Sequence, residues 1–354
     1  MTDRNSIVCI AAGKLEIESA SKQKLLPGYV LVKTKAVALN PTDWKAIYDP
    51  SGFAAGTRPG VDFAGVIEEV GPDVTRFQQG DRVCGIAFGG KDRDHGAFGD
   101  YTIATAHTTA KIPDHLSFEE ASTLGVGITT CGQALYQLLS LPLPPADASE
   151  PQQTILIGGG STATAVLGIQ YAKLSGLRVI ATASSYNFDY LKSLGADVLL
   201  DYHEPADELV KKVKAVVGDE LTLAWDCSPN EKFQEVAALS LSSTKKGTYA
   251  TVNPGTPADF LQGKNPMVET KFQLGYTAFG ESFARGQYVF PASREDAEFA
   301  GAFWERSEKL LQDKKLRPTR ATINQGGPGL EGVIAGLEDL RQGKVSGTKL
   351  VYAL

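Results

Sequence analysis

Residues 154–166 read TILIGGGSTATAV, and this stretch decides the fold. Ile155, Leu156 and Ile157 form an unbroken apolar run, the pattern of a short strand buried on both faces. Gly158, Gly159 and Gly160 follow, and a helix opens at Ser161 and Thr162. Glycines let a backbone pass close to a pyrophosphate. A helix N-terminus offers N–H groups and the positive end of a dipole. Ser161, Thr162 and Thr164, on either side of Ala163, add hydroxyl groups. The spacing is not a strict G-x-G-x-x-G. The strand before the glycines and the helix after them carry the assignment.

Outward from this turn, strands and helices alternate. Residues 178–182, 198–200, 221–226 and 247–252 read as strands. Residues 162–175, 188–194, 206–217 and 232–239 read as helices, the first two stopped by Gly176 and Gly195. The alternation predicts an α/β fold, a doubly wound parallel sheet wrapped by helices. The first third is different. Residues 30–38 alternate apolar and polar, residues 63–70 run into a Gly71-Pro72-Asp73 turn, and Gly80-Asp81 precedes a strand at 82–86. Short strands with such punctuation predict a β-rich barrel or sandwich. Residues 118–139 read as one helix, with Ser117 and Glu120 as a capping box. The proline-rich residues 141–153 read as an exposed connection. Beyond them, helices at 294–312 and 330–342 and strands at 320–323 and 349–353 are expected, and periodicity alone does not assign them to either part.

The chain of 354 residues is long enough for two domains. Its net charge of −6 disfavours a nucleic-acid partner. No apolar run approaches the roughly 20 residues a membrane helix needs. Residues 1–11 lack the basic start and long apolar stretch of a signal peptide, so a cytoplasmic protein is expected. Cys9, Cys84, Cys131 and Cys227 are far apart and read as small buried hydrophobes. His95, His107, His115 and His203 show no ligand spacing and read as surface or loop residues.

The end of the second strand selects the dinucleotide. A carboxylate about 20 residues beyond the glycines holds the ribose 2′-hydroxyl of NAD. Here Ser184 and Ser185 stand instead, with no carboxylate before Asp189. Small hydroxyls admit a 2′-phosphate that a carboxylate would repel, so NADPH is the expected cofactor. Lys192 and Tyr202 are candidates to meet that phosphate. Asp226 and Asn253 end the fourth and fifth strands, whose carboxyl ends border the ligand crevice of such sheets.

Asn40-Pro41-Thr42-Asp43-Trp44-Lys45, then 60–67 (GVDFAGVI), Gly80-Asp81-Arg82-Val83 and 346–351 (SGTKLV) resemble the medium-chain dehydrogenases/reductases. The resemblance covers essentially the whole chain. It implies a GroES-like catalytic domain at 1–125 and 290–354, interrupted by a Rossmann-type domain at 126–289. The loop at 141–145 (LPLPP), 159–165 (GGSTATA), Asn187-Phe188-Asp189, 127–130 (GITT), 224–227 (AWDC) and Phe279-Gly280-Glu281 are similar to the trans-acting enoyl reductases of fungal polyketide pathways, the lovastatin type. Zinc-dependent relatives carry a Cys ligand near the Asn40 segment and Gly-His-Glu at the Gly60 segment. This chain has Gly60-Val61-Asp62 and no four-cysteine lobe, so no metal is expected.

The resemblance implies that a nicotinamide cofactor gives hydride to the β-carbon of an α,β-unsaturated thioester on a carrier protein of a polyketide synthase. Lys45 is the first candidate to serve the enolate oxygen or to donate the proton, a desolvated ammonium being suited to either. Thr130 is the second, and Asp43 and Tyr48 are lesser candidates. Pro41, Thr42 and Lys349 are expected to hold the cofactor, and Asp226 and Cys227 either flank the nicotinamide or serve a capping role. Two other readings stay open: a free-standing quinone or enone reductase, and a non-redox partner protein retaining the fold. Residues 273–281 read as the sheet edge through which relatives pair. Gly275 and Gly280 make it a poor edge, and a monomer is expected.

Overall fold

The strand Thr154–Gly158 sits near the middle of a six-stranded sheet in the computed structural model. The structure describes residues 4–21, 23–146, 153–253, 255–272, 274–285 and 288–354. In spatial order the strands are Val198–Asp201, Arg178–Ala183, Thr154–Gly158, Leu223–Asp226, Gly247–Thr251 and Val268–Phe272. Every neighbouring pair is parallel. The chain order reverses direction between Thr154–Gly158 and Leu223–Asp226, so a switch point opens beyond their carboxyl ends. Leu156, Ile180, Ala224 and Tyr249 bury one face against Leu209, Val213, Val236 and Ala237 of the covering helices.

Contacts divide the chain into two units. One comprises Met1–Thr129 and Tyr276–Leu354, the other Thr130–Gly275. The first unit is built on the strand Tyr29–Ala38, which pairs antiparallel with Asp62–Val70, Tyr101–Thr105 and Lys349–Ala353. Arg82–Ile86 and Thr109–Lys111 extend the sheet on one side and Ala321–Ile323 on the other. The strands Asn5–Ala11 and Lys14–Ser19 form a separate hairpin. Ile7, Val32, Phe63, Phe98, Val333 and Leu350 share the core of this unit.

Three expectations need correction. Residues 118–139 are not one helix: Phe118–Ser122 ends at Thr123, Gly125–Cys131 restarts, and Gly132–Leu138 is wound as a π-helix. The restart brings Gly125 against Asp62 and the Gly85 backbone, where an added Cβ would lie 2.4 Å from both Asp62 Oδ1 and Gly85 O. Residues 276–285 and 288–289, expected in the nucleotide-binding part, belong to the first unit. There Tyr276, Phe279 and Phe283 close on the Phe88 ring, at 5.4, 4.6 and 5.7 Å between centroids. The sheet edge is not at 273–281, where Gly275–Phe279 forms a 3-10 turn. It is the strand Val268–Phe272, which the sequence reading missed. His95 lies in a loop, as expected, and is buried there, its Nδ1 2.8 Å from Asp92 Oδ1. Residues 147–152 of the proline-rich connection, Pro254 and Gln273 lie outside the described residues.

Candidate active site

In the second unit the glycine turn is shaped by its backbone. Gly159 has φ +65, and an added Cβ would lie 2.6 Å from Ser228 Cβ. Gly160 donates its N–H to the Thr182 carbonyl at 2.7 Å, and Gly159 donates to Thr182 Oγ1 at 3.3 Å. Thr182 is therefore a shaping residue that the sequence reading did not single out. Thr162 caps the helix Ala163–Leu174, its hydroxyl accepting the Ala165 N–H at 3.3 Å. Gly168 lets that helix sit directly on Trp225, where a Cβ would come within 2.1 Å of the indole. Gly159, Ser161, Thr162, Ala163 and Thr164 stay partly exposed at the turn, while Gly158 and Gly160 are buried. A concave backbone that side chains would fill, ahead of a helix N-terminus, fits a pyrophosphate.

The second strand ends with Ser184 buried and Ser185 exposed. The Ser185 side chain bonds Asp201, at the end of the neighbouring strand. Tyr202 follows, 47% exposed, its ring 4.2 Å from that of His203. The lysine that meets this corner is Lys232, whose ammonium donates to the Tyr202 carbonyl at 2.7 Å. The sequence reading named Lys192, which is exposed on the helix Phe188–Ser193.

Of the two roles open to Asp226, its contacts fit the capping one. Its side chain is fully buried and turns inward, accepting from the Tyr249 hydroxyl and from the Ser228 N–H at 3.0 Å. Burial pushes the carboxyl up to about 6, against the pull of these two donors. Cys227 follows it, its thiol pushed well up by burial. Asn253 is exposed just beyond the strand Gly247–Thr251, its Oδ1 accepting the Gly255 N–H at 3.1 Å. Thr130 is half-buried on Gly125–Cys131, and its hydroxyl has no hydrogen-bond partner among the described residues.

In the first unit the Asn40 segment forms the short helix Pro41–Ile47, with Pro41 exposed at its first turn. Asp43 lies 3% exposed, and Oδ2 accepts the Asn40 N–H at 2.8 Å. Burial pushes this carboxyl up to about 8. Thr42 Oγ1 lies 3.1 Å from the Tyr276 hydroxyl. Thr42, Asp43, Ala46, Gly60, Gly89 and Tyr276 line one small pocket. Arg285 stacks on the outer face of the Tyr276 ring, 4.0 Å from its centroid, and donates to the Gly89 carbonyl at 2.7 Å. Lys45 is not in this pocket. It is exposed, its ammonium 5.8 Å from the Trp44 ring, so the desolvated ammonium expected from the sequence is not found. Tyr48 bonds Glu338 at 3.1 Å.

Lys349 also departs from expectation. It is 4% exposed and forms a buried ion pair with Asp62, with a further bond to the Thr123 carbonyl at 3.3 Å. Asp62 Oδ1 accepts the Val126 N–H at 2.6 Å. The Asp62 carboxylate is thus committed to a lysine and a backbone amide. Among the described residues no group of three or more His, Cys, Asp or Glu is placed to hold a metal ion. None of the described helices is long and apolar enough to cross a membrane.

Comparison with known proteins agrees with this arrangement. Residues 26–114 match the alcohol dehydrogenase GroES-like domain, and residues 163–280 match the zinc-binding dehydrogenase domain. The trans-enoyl reductase ACTTS2 of Alternaria alternata is 42% identical, over 100% of each chain. The enoyl reductase component lovC of the lovastatin nonaketide synthase of Aspergillus terreus is 36% identical, over 96% of this chain and 93% of that one. The crystal structure of CurK enoyl reductase superposes with a TM-score of 0.76 at 19% identity, covering 99% of both chains, a likeness of fold. The chain belongs to the trans-enoyl reductases, within the medium-chain dehydrogenases/reductases.

Proposed function

We propose that this trans-enoyl reductase uses NADPH, without zinc, to reduce the C=C of an α,β-unsaturated polyketide acyl thioester. The thioester is carried by the carrier protein of a separate synthase. The observation that carries the reading is full-length identity of 42% to a trans-enoyl reductase in a chain that keeps the glycine turn at Gly158, Gly159 and Gly160. The two alternatives, a quinone or enone reductase and a non-redox partner, lack such support.

The turn, with Ser161, Thr162, Ala163 and Thr164, would hold the pyrophosphate. Ser184, Ser185 and Tyr202 would receive the adenosine ribose, and the Lys232 ammonium suits a 2′-phosphate. Pro41, Thr42 and Asn253 complete the proposed cofactor contacts. When bound, the nicotinamide supplies a hydride to the β-carbon. The chain's own task is to stabilise the charge that develops on the thioester oxygen and to protonate the α-carbon. Thr130, with an uncommitted hydroxyl, and Lys45 are the proposed donors to that oxygen. A monomer is favoured because the edge strand Val268–Phe272 carries Glu269 and Lys271.

The test is oxidation of NADPH, with NADH in parallel, in the presence of a 2-enoyl pantetheine thioester. Consumption of NADPH alone supports the cofactor and the reaction together. Turnover of quinones with none of enoyl thioesters, free or presented on the carrier protein, replaces the reading with the free-standing one.

A further inference from the structure

The corner proposed for the adenosine ribose holds a carboxylate, Asp201, although a carboxylate there repels a 2′-phosphate. We propose that His203 governs this carboxylate: when charged it cancels Asp201 and admits the 2′-phosphate, and when neutral it leaves Asp201 to favour the plain ribose of NADH. The inference rests on the NADPH reading above and deepens it.

Strand register places the carboxylate. Asp201 pairs with Ala183, the residue before Ser184. It therefore lies one strand over from the position at which NAD enzymes carry their acid. The Ser185 side chain bonds it, and Ser185 is one of the hydroxyls proposed to meet the ribose. A hydroxyl has a single proton to donate. While Ser185 gives that proton to Asp201, it has none for a phosphate. The corner joins directly to the glycine turn, because Gly160 donates to the carbonyl of Thr182, next to Ala183. All of these residues belong to the unit Thr130–Gly275.

His203 meets Asp201 twice. Its backbone N–H donates to Asp201 Oδ1 at 3.0 Å, and its ring Nδ1 lies 2.6 Å from the same oxygen. The backbone bond first, and the ring second, hold the Asp201 carboxyl below the usual carboxylate range. With Nδ1 engaged, Nε2 is the nitrogen left for a ligand oxygen, and the side chain is 63% exposed. The Tyr202 ring steadies the imidazole from one side.

The neighbouring charges are otherwise committed or apart. Glu204 pairs with Lys212 of the helix Ala206–Val217. Lys232 donates one ammonium proton to the Tyr202 carbonyl and keeps two for a phosphate. Asp189 and Lys192 on the helix Phe188–Ser193, and Glu231 at the start of the helix Glu231–Ser240, form no ion pair with Asp201 or His203 among the described residues. Asp201 and Lys232 thus offset each other, and the charge on His203 sets the sign of the corner. Imidazole makes that change between about pH 5 and 8.

The experiment reads binding, by fluorescence titration of the full chain with NADPH and with NADH at about pH 6 and about pH 8. The 2′-phosphate takes up its own second proton near pH 6, in every variant alike, so each variant is compared with wild type at the same pH. His203→Gln should weaken NADPH about 10-fold at the lower pH, the scale of one charge against a dianion near the surface, and leave it unchanged at the higher. Asp201→Asn still accepts the His203 N–H. It should tighten NADPH about 10-fold at the higher pH and weaken NADH about 3-fold, through the lost acceptor for the ribose hydroxyl. Both variants should melt with wild type. Equal losses at the two pH values for His203→Gln would make it a structural residue and overturn the proposal, as would no loss at the lower pH. Unmoved NADPH affinity in Asp201→Asn at the higher pH overturns it through the carboxylate. Wild type with no preference for NADPH at the lower pH defeats the cofactor reading and this inference together. Wild type with that preference, beside a His203→Gln variant indifferent to pH, defeats this inference alone.

Discussion

The turn at Gly158–Gly160 and the pocket of Thr42, Asp43 and Tyr276 are built by opposite means. The turn is shaped by backbone: a positive φ, two N–H bonds to Thr182, and space that side chains would fill. The pocket is shaped by side chains: the Thr42 and Tyr276 hydroxyls meet at 3.1 Å, and buried Asp43 accepts the Asn40 N–H. A backbone site tolerates many neighbours but no Cβ at its centre. A side-chain site fails through its partners, because removing one buried polar group strands the other.

Four experiments press on that contrast. The largest effect is expected from Lys349→Met, which leaves Asp62 buried without its cation. The loss should be about 3–5 kcal/mol, read as an earlier urea midpoint. A loss under about 1 kcal/mol would show that the buried pair contributes little to stability. Next is Gly159→Val, which sets a branched side chain at φ +65 against Ser228. Dinucleotide affinity should fall about 100-fold by fluorescence titration, a cost of about 2.7 kcal/mol. Retained affinity would mean that the turn reshapes freely.

The third experiment is a pH dependence. The Asp43 carboxyl is held up to about 8 when folded, well above its unfolded value of about 3.9. The folded state therefore binds the extra proton, and wild type loses stability as pH rises from about 4 toward 8, by at most about 1.4 kcal/mol per unit. Asp43→Asn should flatten this slope while its side-chain oxygen still accepts the Asn40 N–H. Parallel wild-type and variant curves would remove Asp43 from the account. The smallest effect belongs to Lys232→Ala. NADPH affinity should drop about 5-fold and NADH affinity should not change, a difference of about 1 kcal/mol. Equal losses would move the 2′-phosphate elsewhere.

The sequence was most readable where physics is local. The strand Thr154–Gly158 is an apolar run, and the helices Ala206–Val217 and Arg294–Gln312 fall where periodicity puts them. The edge strand Val268–Phe272 escaped because VETKF alternates charge with apolar residues in too short a run to stand out. The hairpin strand Lys14–Ser19 (KLEIES), exposed or half-buried throughout, escaped for the same reason. In the first unit, Thr42 and Tyr276 are 234 residues apart, and no spacing rule joins them. Arg285 was overlooked because its value lies in the ring beneath it. The motifs of Lys349 and Asp226 show residue type and hide direction, and both side chains turn inward.

The pairing of Lys349 with Asp62 has a further meaning for how the chain comes into being. The two partners are separated by 287 residues. At roughly 5–20 residues per second, a ribosome releases Asp62 on the order of 15–60 s before its lysine exists. The strand Lys349–Ala353 arrives with that lysine and lies between Tyr29–Ala38 and Ala321–Ile323. The parallel sheet, contained within residues 154–272, is complete long before. Throughout that interval the first unit holds an unanswered carboxylate beside an unfilled strand position, which a chaperone or a stray strand could occupy. The parallel sheet is thus complete before the sheet of the first unit, which a strand made late, Lys349–Ala353, closes beside one made early, Tyr29–Ala38.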